Sequence, residues 1–164
     1  ALANDPLTKS IKEKKAVYNS LGTQKGEATN FIAVGSSAHG VLNDQYYFQN
    51  YYEQDLYRKS IKEGRFPIYR GLKMKPDDVI RREVIRHIRT FFNVEFDFFD
   101  KKYPYKFKEY FEKELKNLKN MEGDGLLNIN EKNIVITSLG EHFSPQIANV
   151  FDIYNDQEFY NRAL

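Results

Sequence analysis

Residues 69–85 read YRGLKMKPDDVIRREVI, and this stretch decides the fold because it combines a helix start with a narrow apolar stripe. Pro76 suits the first helical position, and Asp77 and Asp78 complement the positive end of the helix dipole. The pattern predicts a helix from Pro76 to about Thr90. The apolar side chains share one face and predict the centre of the core: Val79, Ile80, Val84, Ile85, Ile88, Phe91 and Phe92.

The last third of the chain predicts a helix, a hairpin and another helix. An amphipathic helix is expected from about Tyr105 to Asn120. Two short apolar runs, 126–129 and 134–136, are expected to pair around a polar turn, and Thr137 is expected to cap the final helix. This order is typical of a winged-helix-like unit, here at about residues 104–154.

The first third predicts a mixture of helix and strand. Asp5 and Pro6 indicate a helix over residues 5–15, and a polar loop is expected at 19–27. Residues 29–35 are predicted to form a buried strand that ends in the small-residue loop 35–40. Since a lone strand leaves its backbone groups without partners, it predicts a fragment of a larger sheet, cut from a longer protein. A further helix is expected at 50–63.

Composition limits the function classes. The 164 residues are 41% hydrophobic and 29% charged, with no apolar run long enough to span a bilayer and no signal-peptide pattern, so a cytoplasmic location is expected. The net charge of +2 gives no global field for nucleic acid. The chain has no cysteine, which excludes disulfides and cysteine-ligated metal within it, and its three histidines are too scattered to predict a metal site.

Several motifs together resemble one enzyme family. Residues 69–85 resemble the C-terminal part of oxygen-independent coproporphyrinogen III oxidases, where the comparable stretch reads roughly Trp-Arg-Gly, a short apolar run, Asp-Asp and Ile-Arg-Arg-Asp-Val-Ile. Residues 124–127, 134–137 with Gly140, and 151–154 recur in the same order. The resemblance covers about residues 5–155.

The resemblance also implies a domain organisation. Residues 1–45 would be the last helix and strand of a truncated α/β barrel, and residues 46–164 a C-terminal helical cap domain. The expected fold class is therefore mainly α with a small β component (α+β), with the winged-helix-like unit inside the cap.

Members of this family oxidatively decarboxylate two propionates of coproporphyrinogen III to give protoporphyrinogen IX in haem biosynthesis. The resemblance implies that Arg70, Arg81 and Arg82 bind propionates of the substrate, a task suited to guanidinium groups. The alternative is that Arg81 and Arg82 form ion pairs with Asp77, Asp78 or acidic residues elsewhere.

Ala38 and His39 are the candidate cofactor-binding residues. They end a loop that resembles the Gly-Val-Ser-Ala-Ile loop of the family, which contributes to a second S-adenosylmethionine site. His39 replaces the Ile, and a Gln of the family falls near Ser20 or Leu21 and is missing here. The Ala-His pair is more similar to a sister branch that includes haem chaperones.

The family's radical chemistry requires a Cys-x3-Cys-x2-Cys motif for a 4Fe-4S cluster, which this chain lacks. We therefore expect no cofactor, no metal ligand and no catalytic residue in this chain, with the 4Fe-4S cluster and S-adenosylmethionine in the full-length parent. The chain is expected to cover a tetrapyrrole substrate together with the missing barrel and to be inactive alone. Neither nucleic acid nor membrane is an expected partner, and the exposed strand predicts self-association of the fragment.

Two alternatives stay open. One is a haem chaperone-like relative with the same architecture. The other is a winged-helix interaction or DNA-binding module, although the mixed charges of the predicted helices disfavour phosphate contacts.

Overall fold

The computed structural model of this protein describes residues 2, 4–19, 22–26 and 30–154. The chain divides into two compact units, an N-terminal unit of residues 1–79 and a C-terminal unit of residues 80–164. The predicted division near residue 45, between a barrel remnant and a cap, stays a prediction. The N-terminal unit contains α1 (Pro6–Lys12), β1 (Ala16–Asn19), β2 (Gly22–Lys25), β3 (His39–Leu42), β4 (Tyr46–Asn50), α2 (Gln54–Lys62) and β5 (Ile68–Lys73).

The first helix begins where the sequence predicts it. A side-chain oxygen of Asp5 accepts hydrogen bonds from the N–H groups of Leu7 and Thr8 at 2.7 and 3.3 Å, and Pro6 occupies the first turn. The prediction of a polar loop at 19–27 is wrong for the described residues of that range, because β1 and β2 form an antiparallel pair there. Polar residues in a two-stranded ribbon stay largely accessible to water, so their polarity does not indicate a loop.

The three-stranded sheet β3–β4–β5 was not predicted. Its strands are antiparallel, with β4 in the middle. Asn43 and Asp44 have φ values of 51° and 52°, and the N–H of Gln45 donates to the carbonyl of Leu42 at 3.1 Å. Positive φ at both central residues is typical of hairpin turns, and Asn and Asp tolerate it. The Asn-Asp pair between two apolar runs is therefore the signal that predicts this hairpin.

The buried strand expected at 29–35 is wrong for the residues described. Thr29 lies outside them. Among residues 30–35, only Phe31 pairs, through a single antiparallel bridge to Val41. Ile32 and Val34 are 75% and 84% exposed, so the apolar composition of this run does not reflect burial.

The C-terminal unit is built around the predicted central helix. This helix, α3 (Pro76–Phe91), begins in the N-terminal unit and continues into the C-terminal unit. The rest of the C-terminal unit contains β6 (Asn93–Glu95), α4 (Phe96–Lys102), α5 (Phe107–Tyr110), α6 (Glu112–Gly123), β7 (Leu127–Ile129), β8 (Asn133–Ile136), α7 (Ser138–Glu141) and α8 (Ser144–Asn149). The carboxylate of Asp78 accepts a hydrogen bond from the N–H of Lys75 at 2.8 Å, which satisfies a donor at the helix start. Ile80, Val84 and Ile88 are at most 6% exposed, which confirms α3 as the core helix.

Two predicted helices are interrupted. The helix expected from Tyr105 to Asn120 breaks at Phe111, whose backbone leaves the helical region while its ring is buried against Phe107 and Phe151. The final helix is divided into α7 and α8, and Pro145 lies in the first turn of the second. The cap at Thr137 is confirmed, because its hydroxyl accepts a hydrogen bond from the N–H of Gly140 at 3.0 Å.

The predicted hairpin of β7 and β8 is confirmed, and the unpredicted strand β6 joins it in the order β6–β8–β7.

The chain has the mixed helix and sheet content that was expected. Strands of the described residues pair antiparallel in small sheets, and no closed barrel forms among them. Within the same residues, no helix has the length and hydropathy needed to cross a bilayer.

Gly140 should be intolerant of a side chain. A Cβ built there would lie 1.8 Å from the carbonyl oxygen of Leu126, which is backbone and cannot rotate away. We expect Gly140→Ala to lower the free energy of unfolding by about 1–3 kcal/mol through overpacking. Gly123→Ala is the matched control, since its new methyl meets no atom within 4 Å and should stabilise α6 slightly. Urea unfolding of both variants tests this, and equal stabilities would contradict it.

Glu122 should make stability depend on pH. Its carboxylate lies 2.7 Å from Nζ of Lys119 and accepts a hydrogen bond from the N–H of Ile129, also at 2.7 Å. Both contacts lower the pKa of Glu122, and the contact with Lys119 has the larger effect. A lowered folded-state pKa contributes stability above the ordinary carboxyl pKa, and this contribution is lost as the pH falls through the lowered value. Glu122→Gln should therefore be less stable than the natural chain near neutral pH, with the difference shrinking on acidification. A difference that stays constant in unfolding curves from about pH 7 to pH 3 would argue against this.

Candidate functional site

Three polar side chains lie in one row across the sheet β3–β4–β5. His39 pairs with Gln49, and Gln49 pairs with Arg70 on the opposite side of β4. Residues directly opposite each other in neighbouring strands point to the same face of a sheet, so the three side chains share a face. The structure therefore brings together two of the predicted site residues, His39 and Arg70, that are distant in the sequence.

This row borders an open surface pocket of about 290 Å³. The pocket is lined by His39, Tyr47, Phe48, Gln49, Arg70, Gly71 and Leu72. It combines a guanidinium and an imidazole with an aromatic and aliphatic wall. Such a lining suits a molecule with an apolar body and an acidic edge.

Phe48 neighbours the polar row in β4, and its ring lies on the other face of the sheet. It pairs with Gly40 on one side and Gly71 on the other. A Cβ added at Gly40 would lie 2.1 Å from the tip of the Phe48 ring, so the ring occupies the space that a side chain would need. Glycine beside Phe48 thus lets the ring lie against β3.

Arg70 is exposed and is held at one end. Its Nε donates to Oε1 of Gln49 at 2.9 Å, and its guanidinium carbon lies 5.9 Å from the centre of the Tyr69 ring. Its two terminal amino groups form no further hydrogen bond with the described residues. An arginine with a fixed Nε and accessible terminal groups can accept a carboxylate through two parallel hydrogen bonds.

Ala38 lies in the predicted loop, directly before β3, whereas His39 begins the strand itself. Ala38 is half-buried, and its carbonyl accepts the N–H of Asn50 at 2.9 Å. His39 is the first residue of the strand and its side chain is exposed at the pocket. The sequence interpretation missed Gln49 and Asn50, whose signal is a pair of amides directly after the aromatic run 46–48.

Arg81 lies in the C-terminal unit and contacts an acidic partner. Its Nη1 is 2.7 Å from Oε1 of Glu114, and both side chains are at least 86% buried. The same nitrogen lies 3.4 Å from the carbonyl oxygen of Phe151, and the guanidinium lies 5.4 Å from the centre of the Phe111 ring. This is an internal ion pair of the kind considered as an alternative role, although its partner is neither Asp77 nor Asp78.

Arg82 is half-buried on α3, in the same unit as Arg81. Its assignment and that of Arg81 as substrate ligands stay predictions. Within the described parts of the chain, no group of three or more His, Cys, Asp or Glu residues could hold a metal ion.

Comparison with known proteins relates the chain to one family. Residues 74–141 match the family model of the HemN C-terminal domain. An oxygen-independent coproporphyrinogen III oxidase from Helicobacter pylori strain J99 is 30% identical over 154 residues, which is 94% of this chain and 34% of that protein. The enzyme of the same name from Escherichia coli K12 is 30% identical over 158 residues, covering 96% of this chain and 34% of its own length.

A solved structure gives the same result. The coproporphyrinogen III oxidase (HemN) of Escherichia coli, described as a radical SAM enzyme, superposes with a TM-score of 0.88 at 29% identity, covering 94% of this chain and 35% of that one. The resemblance seen in the sequence motifs is confirmed. The chain spans about a third of the length of these relatives.

The Arg81–Glu114 ion pair should contribute measurably to the free energy of unfolding. Arg81→Met leaves a mostly buried carboxylate without its cation and should cost about 3 kcal/mol of unfolding free energy. Adding Glu114→Leu should restore most of that loss, because the uncompensated charge is then gone.

Lys116→Met is the matched control, since it breaks the exposed Lys116–Glu112 pair and should cost less than about 1 kcal/mol. Chemical unfolding of Arg81→Met, of Glu114→Leu, of the double variant and of Lys116→Met gives the coupling energy of the buried pair and the cost of the control. If Glu114→Leu deepens the loss caused by Arg81→Met, the pair does not act as described.

Proposed function

Because the chain contains a HemN C-terminal domain and is related along nearly its whole length to oxygen-independent coproporphyrinogen III oxidases, we propose that it is the substrate-covering C-terminal part of such an enzyme. The proposed reaction is the oxidative decarboxylation of coproporphyrinogen III to protoporphyrinogen IX, in the cytoplasm. The observation that carries the proposal is Arg70, exposed at an amphipathic pocket and oriented by a neutral amide.

In this proposal Arg70 binds a propionate of the tetrapyrrole. The terminal guanidinium nitrogens point their donors at a carboxylate, while Tyr47 and Leu72 offer an apolar surface to the pyrrole edge. Gln49 keeps the guanidinium in one orientation, which reduces the entropy lost on binding. The substrate is thereby held by its acidic edge.

The cofactors of the family fit this chain unequally. A 4Fe-4S cluster requires thiolates, and this chain has no cysteine, so other residues of a longer protein would have to hold it. S-adenosylmethionine supplies the radical chemistry of such enzymes when bound. Near Ala38 the carbonyl already accepts the Asn50 N–H, whereas His39 and Arg70 present donors, so the pocket suits the carboxylate of a ligand better than a sulfonium.

His39 favours a second candidate function. An exposed imidazole on the wall of an aromatic pocket can ligate haem iron, which a decarboxylase does not need. A haem chaperone-like role with the same architecture is therefore the alternative, and it predicts haem binding that depends on His39.

We also propose that the C-terminal unit is winged-helix-like and covers other protein surface. The order of a helix, a strand, further helices and a hairpin, with strand order β6–β8–β7, supports this interpretation. A DNA-binding role is disfavoured, because Lys116 and Lys119 of α6 pair with Glu112 and Glu122 at 2.7 Å. Such pairs cancel the charge that phosphate contacts require.

Replacing Arg70 tests the function directly in the intact protein that carries this chain. We expect Arg70→Met to weaken binding of coproporphyrin III, the fluorescent oxidised tetrapyrrole with the same four propionates, roughly 10- to 100-fold, as expected for one lost charge-assisted contact. Binding is measured by fluorescence titration, and turnover of coproporphyrinogen III by anaerobic assay with S-adenosylmethionine and a reductant.

Arg58→Met is the matched control, since Arg58 is likewise exposed in the N-terminal unit and donates to a glutamine oxygen, that of Gln54, at 3.3 Å. It should leave affinity and turnover unchanged. Haem binding that His39→Ala abolishes, without any turnover of coproporphyrinogen III, would favour the chaperone alternative. Equal effects of the two arginine variants would remove Arg70 from the site.

A further inference from the structure

The segment 33–38, directly before the pocket, has a fixed conformation without belonging to a helix or a strand. Gly35 and Ser37 have φ values of 105° and 63°, both in the left-handed region. A residue such as serine adopts that region at a cost, so surrounding contacts must stabilise it.

Asn50 supplies the central contacts. It is 1% exposed, and its Nδ2 donates to the carbonyls of Ala33 and Gly35 at 3.2 and 2.9 Å. Its own backbone N–H donates to the carbonyl of Ala38 at 2.9 Å. One buried residue thus binds the segment at its beginning, its middle and its end.

Tyr51, directly after β4, and Tyr57 of α2 also bind the segment. The N–H of Gly35 donates to the hydroxyl oxygen of Tyr57 at 3.0 Å, and the N–H of Ser37 donates to the carbonyl of Tyr51 at 2.9 Å. These contacts add to those of Asn50 in holding the backbone of the segment in place. The segment is therefore preorganised before any ligand arrives.

The segment is connected to the pocket by two routes. Covalently, it continues through Ala38 into His39. Through hydrogen bonds, the carbonyl of Ser37 accepts Nε2 of Gln49 at 3.3 Å, and Oε1 of the same Gln49 accepts Nε of Arg70 at 2.9 Å. A shift of Ser37 would therefore release the amide that orients Arg70.

We propose that Asn50 is a positioning residue for the pocket: it fixes the segment 33–38 and thereby sets the placement of His39 and, through Ser37 and Gln49, the orientation of Arg70 toward a carboxylate ligand. The inference rests on the proposed function, because that supplies the carboxylate. It assigns a role to a buried neutral amide that does not line the pocket.

The chemistry of the amide defines the variants. Asn50→Ala removes both side-chain donors. Asn50→Asp keeps the size but places a carboxylate against two carbonyl oxygens, which repel it. Tyr57→Phe removes only the acceptor of the Gly35 N–H and is the milder change. Ser10→Ala is the matched control, because Ser10 is also buried in the N-terminal unit and donates to a backbone carbonyl, that of Lys15.

The test is a double-mutant cycle with Arg70→Met in the intact protein, with coproporphyrin III as the probe. We expect Asn50→Ala to weaken binding roughly 10-fold alone and to have almost no further effect when Arg70 is already Met, since both changes remove the same oriented contact. Asn50→Asp should act in the same direction. The NMR resonance of the Arg70 Nε–H should shift in Asn50→Ala and stay in place in Ser10→Ala, whose affinity should match that of the natural protein.

The outcomes separate the inference from the proposed function. If the natural protein does not bind the porphyrin, the proposed function fails, and the Arg70 Nε–H resonance still decides whether Asn50 orients Arg70. If it binds and Asn50→Ala lowers stability while leaving the affinity and the Arg70 resonance unchanged, Asn50 is not a positioning residue. Full additivity with Arg70→Met also overturns the inference. Should Asn50→Ala fail to fold, Tyr57→Phe replaces it in the same cycle. We then expect a smaller loss of porphyrin affinity, and an unchanged affinity would contradict the inference.

Discussion

The pairing register of β4 is the constraint on which the candidate site depends. This strand lies between β3 and β5, so its register alone places His39 opposite Gln49 and Gln49 opposite Arg70. A slip of one residue would turn one of these side chains to the other face of the sheet. Phe48 opposes such a slip, because its ring occupies space that a Cβ at position 40 would need. The absence of a side chain at Gly40 thus contributes to the placement of an arginine two strands away.

Local signals in the sequence predicted α3, the β7–β8 hairpin and the caps at Asp5 and Thr137, because each depends on residues within one or two turns. The three-stranded sheet of the N-terminal unit escaped prediction, since β5 pairs with β4 across an intervening helix and the β3–β4 hairpin depends on the Asn43-Asp44 turn, which was not recognised. The run that contains Ile32 and Val34 has the apolar composition of a buried strand, yet both side chains are exposed. Composition alone does not reveal that exposure. The family resemblance selected His39 and Arg70, but their sharing of a pocket follows from strand register, which the sequence does not display.

Arg70 and Arg81 carry the same guanidinium group, but their different burial gives them different roles. Arg81 is largely removed from water and has a carboxylate at 2.7 Å, because a lone buried guanidinium would be too costly. Arg70 stays in water and is bound by a neutral oxygen, so solvation rather than a counter-ion compensates its charge. An incoming carboxylate needs to displace only water from Arg70, whereas at Arg81 it would have to displace Glu114. Sequence patterns cannot separate these cases, since Glu114 follows Arg81 by 33 residues.

Neutral amides at positions 49 and 50 suit a site for an anion. A glutamate at position 49 could hold the Arg70 Nε equally well, but it would form an ion pair and cancel much of the attraction toward a ligand carboxylate. Glutamine fixes the direction of the guanidinium and leaves its charge available. Asparagine at position 50 binds two carbonyl oxygens within the protein, which only a donor can do, and it adds no charge near the pocket. Hydrogen bonds from neutral amides therefore orient the guanidinium of Arg70, and its charge attracts the ligand, so each can be altered without the other.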